Sequence, residues 1–273
     1  MSDIAKGRNI FIELIESIFR ELGHPSPEVN IFEEVLETEL ESGEVIFEII
    51  HSSALHPEHM TVRCKIGCAD WEITTAYMTA LLQTNQSLLR SQDATLGIDV
   101  ISGSICHSYR HPVETIDASQ LISRLATTSA QVNEWRATSN HEELLSCLME
   151  MGECPSYASE CVDTEIRAEF CKQLLDLSSE LSPVFEHTQR QMDVSDNDLT
   201  IAAQIQIDNI PFSILNSMSS RKYCSLECDI GAIQEDQTND ALRRILELNH
   251  ELFLVDSAGF SIDVTTGNVV YQN

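Results

Sequence analysis

Apolar residues recur along this chain with two periods, and their switches mark the elements. From Ile10 to Leu22 the spacing is helical. Ile10, Phe11, Leu14, Ile15, Ile18, Phe19 and Leu22 share a face opposite Glu13, Glu16, Arg20 and Glu21, with Gly23 and Pro25 as the stop. Strand patterns follow at Val29–Leu40 and Val45–Ile50, with a turn around Gly43 between them. Met60–Ile66 alternates cleanly, with Met60, Val62, Cys64 and Ile66 expected inward and Arg63 and Lys65 outward. The helical period returns through Ile73, Ala76, Tyr77, Ala80, Leu81, Leu88 and Leu89, with Asp70 as the expected cap. A hairpin centred on Asp99–Gly103 comes next, because Asp bonds its own backbone in a turn and Gly accepts the positive φ that closes it. Asp117 with Gln120 forms a capping box, stapled by Ile116 and Leu121, for a helix buried through Leu121, Leu125, Val132 and Trp135.

The pattern then repeats. Asn85 and Asn249 are separated by 249 − 85 = 164 residues, Asp99 and Asp263 by 263 − 99 = 164, Gly103 and Gly267 by 267 − 103 = 164. The strand upstream obeys the same offset at Val62/Leu226, Cys64/Cys228 and Ile66/Ile230. Copies of this length predict two domain-sized units, not a solenoid. Between them, Asn140–Gly152 reads as a short helix and Pro155–Val162 as a connector. The second unit opens on a helix through Ile166, Phe170, Leu174, Leu177 and Leu181 that breaks at Pro183. After a turn at Ser195–Asp198, Leu199, Ile201, Ala203, Ile205 and Ile207 alternate as a half-buried strand. Tyr223–Ile230 is the counterpart of Met60–Ile66, and Asp236 and Asp240 suit the N-terminus of the helix that follows. The expected division is therefore 1–138, a connecting stretch 139–162, and 163–273, with no counterpart of the first unit's last helix in the second. Asn85 and Asn249 read as polar positions near a helix end or as specificity-setting contacts in a packed interface.

Charge narrows the partners. The chain of 273 residues has a formal net charge of −28 and 22% charged residues, against 42% hydrophobic. Nucleic-acid backbones and anionic membranes require clustered Lys and Arg, so neither is an expected partner. Cationic or amphipathic partners suit the balance. No stretch approaches the twenty apolar residues of a membrane span, and acidic residues interrupt the N-terminal apolar run, unlike a signal peptide. Nine scattered cysteines suit reduced thiols.

Candidate chemistry is sparse. Cys64/Cys68 and Cys224/Cys228 have the wrong spacing for one metal if they lie on strands, since four residues there span about 13 Å and each thiolate must come within about 2.3 Å. Core cysteines are the better reading. His51, His56 and His59 gather in a loop without a fixed acidic or thiol partner. Cys106 and His107, adjacent on a strand, face opposite ways. His141-Glu142-Glu143 lacks the second His of a zinc protease, and the two hairpins lack the acidic ligands of a calcium loop. Neither a cofactor nor a metal is expected, and the chain does not read as an enzyme.

The order helix, three strands, helix, hairpin, helix resembles the Tir chaperone family, the class I chaperones of bacterial type III secretion. Leu81-Leu82-Gln-Thr-Asn85, Leu96-Gly-Ile-Asp99 through Gly103, and Glu134-Trp135-Arg136 carry the likeness over Ile10–Arg136, and Cys224–Val270 carries it more loosely. The resemblance implies an α+β fold of two tandem chaperone-like units, each an antiparallel sheet packed against helices. It implies a bacterial cytoplasmic, ATP-independent chaperone for the unfolded N-terminal segment of a secreted effector. Family members are dimers, so a fused tandem implies an internal pseudo-dimer, with a homodimer as the alternative. The segment would add strand edges and place apolar side chains in grooves. Val45, Phe47 and Ile49 on one strand, and Ile201 and Ile205 on another, are the expected partner-binding residues. Val45, Phe47 and Ile49 share one face and Ile46 and Ile50 the other; the pattern does not tell which face packs on the helices. An acidic regulator or inhibitor of a folded partner is the competing reading.

Overall fold

The computed structural model describes residues 3–25, 30–32, 35–67, 74–92, 94–137, 190–193, 200–207, 210–217, 225–234, 237–256 and 258–272. The expected helices at 141–151 and 166–181, the connector, the turn Ser195–Asp198, and Asp70, Ile73, Asp236, Cys68 and Cys224 lie outside them. The fold is α+β. Helix α1 (Asp3–Glu21) precedes β1 (Asn30–Phe32), β2 (Val35–Ser42), β3 (Val45–Ser52) and β4 (His59–Gly67). Then come α2 (Thr75–Gln92), β5 (Ala94–Ile98), β6 (Ile105–Pro112) and α3 (Ala118–Ala137). The remainder is β7 (Arg190–Asp193), β8 (Thr200–Ile207), β9 (Ile210–Ser217), β10 (Ser225–Gly231), α4 (Thr238–Asp256), β11 (Gly259–Ile262) and β12 (Val269–Gln272).

The strands form two six-stranded antiparallel sheets of the same order, β1-β2-β3-β4-β6-β5 and β7-β8-β9-β10-β12-β11. The row Leu40–Phe47–Cys64–His107 across the first sheet has its parallel in Ile205–Phe212–Cys228–Tyr271 across the second. The register refines the offset: 228 − 64 = 164, but 212 − 47 = 165 and 205 − 40 = 165, so β8 and β9 are shifted by one residue. A bulge interrupts both sheets at matching places, Lys65–Gly67 and Asp229–Gly231.

The first sheet's inner face packs on α1 and α3. Phe11, Leu14, Ile15 and Ile18 of α1 and Leu121, Leu125, Val132 and Trp135 of α3 meet Leu36, Leu40, Phe47, Val62, Cys64 and Ile66 in one buried cluster. Each such side chain contributes about 1.5–3 kcal/mol by leaving water. The expected capping box is present: Gln120 N donates to Asp117 Oδ1 at 2.8 Å, and Asp117 N donates to Gln120 Oε1 at 3.1 Å. At the far end of α3, Arg136 donates to the carbonyls of Ile66, Glu44 and Lys65 at 2.9, 2.9 and 2.7 Å, pinning the helix beside buried Trp135. The cap of α2 is Thr74, whose Oγ1 accepts from Tyr77 N at 3.3 Å. In the second sheet, Leu226 and Ile230 are 38% and 58% exposed, whereas their counterparts Val62 and Ile66 are buried. Among the described residues, α1 and α3 have no counterpart there.

The two sheets are joined by exchange. Helix α2 packs on β11 as well as on its own β5, and α4 packs on β5 as well as on its own β11. Gly97 of β5 permits the closest approach, because a Cβ there would sit 2.7 Å from His250 N on α4. Thr75 donates to Asn239, linking the two helix starts, 239 − 75 = 164 residues apart. Gln86 Nε2 donates to Asp263 Oδ2 at 2.9 Å across the same interface.

The repeated asparagines close the inner sheet edges. Asn85 donates through Nδ2 to Leu96 O at 2.8 Å and accepts through Oδ1 from Leu96 N at 2.6 Å. Asn249 does the same to Phe260 at 2.8 and 2.6 Å. Each amide thus takes the place of a further strand on β5 or β11, and both asparagines are fully buried. The hairpins bend as expected, with Gly103 at φ 67° and Gly267 at φ 72°, and Asp99 Oδ1 and Asp263 Oδ1 accepting from Ile101 N and Thr265 N. Desolvation raises the Asp99 pKa, but the Ser102 hydroxyl, the Ile101 amide and the charges of His250 and Lys65 outweigh it and hold the carboxyl at about 2.

Two expected outcomes follow. Replacing Asn85 by Ala strands both Leu96 groups away from water, a loss of roughly 2–4 kcal/mol, which chemical denaturation measures; removing the exposed Lys6–Glu114 pair costs under about 1 kcal/mol. Burial, aided by Arg124, lowers His107 to about 4, and burial with Arg124 and His59 lowers His111 to about 4. An unfolded histidine binds its proton near pH 6.5. The unfolded chain therefore carries more protons between those values, and stability falls as pH drops from about 6.5 to about 4 and then levels for these groups. Melting temperatures across that window should decline, and His107→Gln should flatten the slope by about 1.4 kcal/mol per pH unit.

Candidate functional site

Strand β2 separates the first sheet's two faces. Leu36, Thr38 and Leu40 point into the core, so Val35, Glu37, Glu39 and Glu41 point out. Pairing carries the division across: Glu41 lies opposite Ile46, Glu39 opposite Glu48, and Glu37 opposite Ile50. Val45, Phe47 and Ile49, expected at the partner surface, are each 0% exposed and belong to the core. A face that already packs on α1 and α3 cannot also receive a partner. The open face carries Ile46, 56% exposed, and half-buried Ile50. Ile201 and Ile205 hold the register places of core residues Leu36 and Leu40 (201 − 36 = 165, 205 − 40 = 165), and their side chains lie outside the described residues.

On that open face a groove of about 290 Å³ runs between β2–β4, the β3–β4 loop and the end of α4. Val35, Ile50, Leu55 and Leu254 supply its apolar wall; Glu37, His56, His59 and Arg63 supply polar groups. Leu254 comes from the second half of the chain, so both halves build the groove. Its far wall is held by caps from the first half. Arg110, 3% exposed, donates through Nη2 to Phe253 O and lies with its guanidinium 5.2 Å over the Phe253 ring. His56 Nε2 donates to Val255 O at 2.6 Å. Both bonds satisfy carbonyls in the last turn of α4, where the helix dipole favours a cation. Arg63 bonds Glu48 through Nε at 2.5 Å and donates through Nη1 to His250 Nε2 at 3.1 Å, fixing the groove floor to α4.

Strand β2, which borders the groove, is only partly paired on its outer edge among the described residues. The two-residue turn at Gly43–Glu44 makes Ser42/Val45 the closing pair of the β2–β3 hairpin. Alternation then turns the N–H and C=O of Val35, Glu37, Glu39 and Glu41 toward β1. Strand β1 reaches only Val35–Glu37, so Glu39 and Glu41 have no strand partner among the described residues. In the second sheet β7 pairs Ala202–Ile205, which closes the place equivalent to Glu39.

The remaining candidates resolve as structure. Cys64 and Cys106 are buried, and desolvation pushes each thiol up to about 12, leaving little thiolate at neutral pH. His51 stacks on Phe11 with ring centroids 5.2 Å apart. Among the described residues no group of His, Cys, Asp and Glu is arranged to hold a metal ion, and no helix is long and apolar enough to cross a membrane. Arg110 escaped notice in the sequence because its partner is 143 residues away; Gly97, a glycine inside a strand pattern, was the readable sign of close approach.

No family model matches the chain, and no curated relative matches it. Solved structures do resemble it. The ExsC–ExsE complex matches at 17% identity and TM-score 0.39, covering 46% of this chain and 91% of that one. The Yersinia pestis type III secretion chaperone SycH, solved with a stable fragment of YscM2, matches at 13% identity and TM-score 0.34, covering 45% and 98%. The ExoT–SpcS complex from Pseudomonas aeruginosa matches at 25% identity and TM-score 0.31, covering 46% and 96%.

Arg110→Met removes the buried guanidinium while keeping its volume. Amide exchange in the last turn of α4, Leu252–Val255, should accelerate at least about tenfold as the cap is lost, while exchange in α1 stays unchanged.

Proposed function

We propose that this chain is a type III secretion chaperone that holds the unfolded N-terminal segment of a secreted effector in extended form, without ATP, in the bacterial cytoplasm. The observation that carries the reading is an apolar groove beside β2, a strand whose Glu39 and Glu41 have no strand partner among the described residues. An extended segment gains main-chain bonds at such an edge and buries alternate side chains beside it. It must lose its chain entropy to do so, which a pocket and an edge together offset better than either alone. No step requires a nucleotide or a nucleophile. The two sheets are read as chaperone-like units, 1–138 and 163–273, joined by 139–162 and fused into an internal pseudo-dimer. The shared strand order and the exchanged helices support that reading.

The test is co-expression with a secretion substrate, purification without nucleotide, and limited proteolysis. Protection of a short extended N-terminal segment is expected. Protection of a folded domain instead would favour the acidic regulator. Glu39→Pro deletes one outward N–H without touching the β2–β3 ladder; substrate affinity should fall at least about tenfold with the melting temperature within a few degrees of the parent.

A further inference from the structure

The seam between the halves is built twice, α2 on β11 and α4 on β5, and the two sides differ in one titratable residue. Gln86 of α2 and His250 of α4 hold the same place, 250 − 86 = 164 residues apart. Gln86 Nε2 donates to Asp263 Oδ2 at 2.9 Å, and its amide does not titrate. His250 lies close enough to Asp99, the counterpart of Asp263, for their charges to interact, but its Nε2 bonds Arg63 at 3.1 Å. The counterpart of Arg63 is Glu227, which bonds Gln272, so the Gln86 side has no cation at that place. A guanidinium can only donate, so His250 Nε2 accepts. The proton of the neutral ring is then on Nδ1, a buried atom without a hydrogen-bond partner among the described residues. There is little slack around it. A Cβ on Gly97 would sit 2.7 Å from His250 N and 2.9 Å from its Cα, so the α4 backbone lies directly against β5 here.

We infer that His250 makes this seam proton-sensitive: protonation of its ring breaks the Arg63 bond, loosens α4 from the first sheet and with it the groove wall that Leu254 supplies. This device is independent of what the groove receives, so the chaperone reading neither supports it nor falls with it. With a proton on Nε2 the ring has no acceptor left, and two cations face each other where a bond was. Arg63 is not free to turn away, because Glu48 holds its Nε and Nη2. The charges around His250 act in both directions. Burial and then Arg63 oppose its protonation; Asp99 in the turn after β5, Glu48 on β3 and Glu251 on α4 favour it; the first two prevail and lower its pKa. Lys65 meets Asp99 at 3.6 Å. On β6, the Cys106 thiol is pushed up to about 12 and stays neutral, and Arg110 is committed to the carbonyl of Phe253. Strands β5 and β11 carry no titratable side chain. His56 donates to Val255 O in either charge state, so its own protonation keeps that bond. Once loosened, the His250 ring holds its proton near pH 6.5. The open form therefore binds more protons than the closed one, and opening grows as pH falls below about 6.5, by up to about tenfold per pH unit.

The experiment titrates the full chain from about pH 7.5 to about pH 5.5. NMR of the histidine rings follows His250, assigned by the signal that His250→Gln removes. Backbone amide exchange at Leu248–Leu254, corrected for its intrinsic pH dependence and taken relative to α1, follows the opening of α4, since a surface helix owes most of its stability to packing. His250 should titrate below about 6.5, and the corrected exchange should rise at least about threefold across the range. His250→Gln, which copies Gln86, should abolish the rise, while His56→Gln should keep it. Arg63→Gln removes the opposing cation and should raise the His250 midpoint by at least about half a pH unit. The parent titration and Arg63→Gln decide the matter even where His250→Gln does not fold. A midpoint at or above about 6.5 in the parent, α4 exchange that stays level with α1, an equal rise in His250→Gln, a rise lost in His56→Gln alone, or a midpoint unmoved by Arg63→Gln would overturn the inference.

Discussion

Each sheet has one edge that is shut, and the shutting is done by an asparagine. Asn85 on Leu96 and Asn249 on Phe260 satisfy the outward peptide groups of β5 and β11 with side-chain amides. Without them, two buried strands would end in unpaired donors and acceptors, each worth about 1–3 kcal/mol in lost solvation. With them, the inner edges can lie beneath helices without hydration, and α2 and α4 are free to cross to the opposite sheet. That exchange fixes where the halves meet, and it leaves β1–β2 and β7–β8 at the far ends of the two sheets.

Symmetry in the exchange does not extend to the outer surfaces. Among the described residues, β7 pairs with β8 from Ala202 to Ile205, while β1 pairs with β2 only from Val35 to Glu37. The tip of α4, capped by Arg110 and His56, rises over the first sheet to make a groove wall. Among the described residues, an apolar trough and the exposed acidic side chains of a β2 stretch without a strand partner lie on the same face of the first sheet. An exposed edge invites indiscriminate pairing, and charged residues along it are the usual defence. Glu39 and Glu41 are exposed along β2 and serve that defence.

Much of this was readable in advance, and the failures have physical causes. Alternation in Met60–Ile66 assigned its faces correctly because only one side is apolar. In β3 both sides are apolar, so the strand alone could not say whether Val45, Phe47 and Ile49 or Ile46 and Ile50 packed inward. The answer lay in β2, where Leu36 and Leu40 alternate with glutamates, and in the tight turn at Gly43 that sets Leu40 opposite Phe47. The hairpins, the capping box and the paired asparagines were visible as motifs. The role of Asn85 was not, because it depends on a strand eleven residues later. The one-residue shift in β8 and β9 is hidden in the 164-residue offset of the segments around it. Contacts between Arg110 and Phe253, or Gly97 and His250, join distant stretches and have no periodic signature.

Exchange of backbone amide hydrogens along β2, with and without a bound effector segment, bears most directly on where the client sits. Glu39 and Glu41 should exchange quickly in the free chain and become protected on binding, with little change along β8. Binding that leaves Glu39 and Glu41 as open as before, or that protects the second sheet instead, would contradict the account.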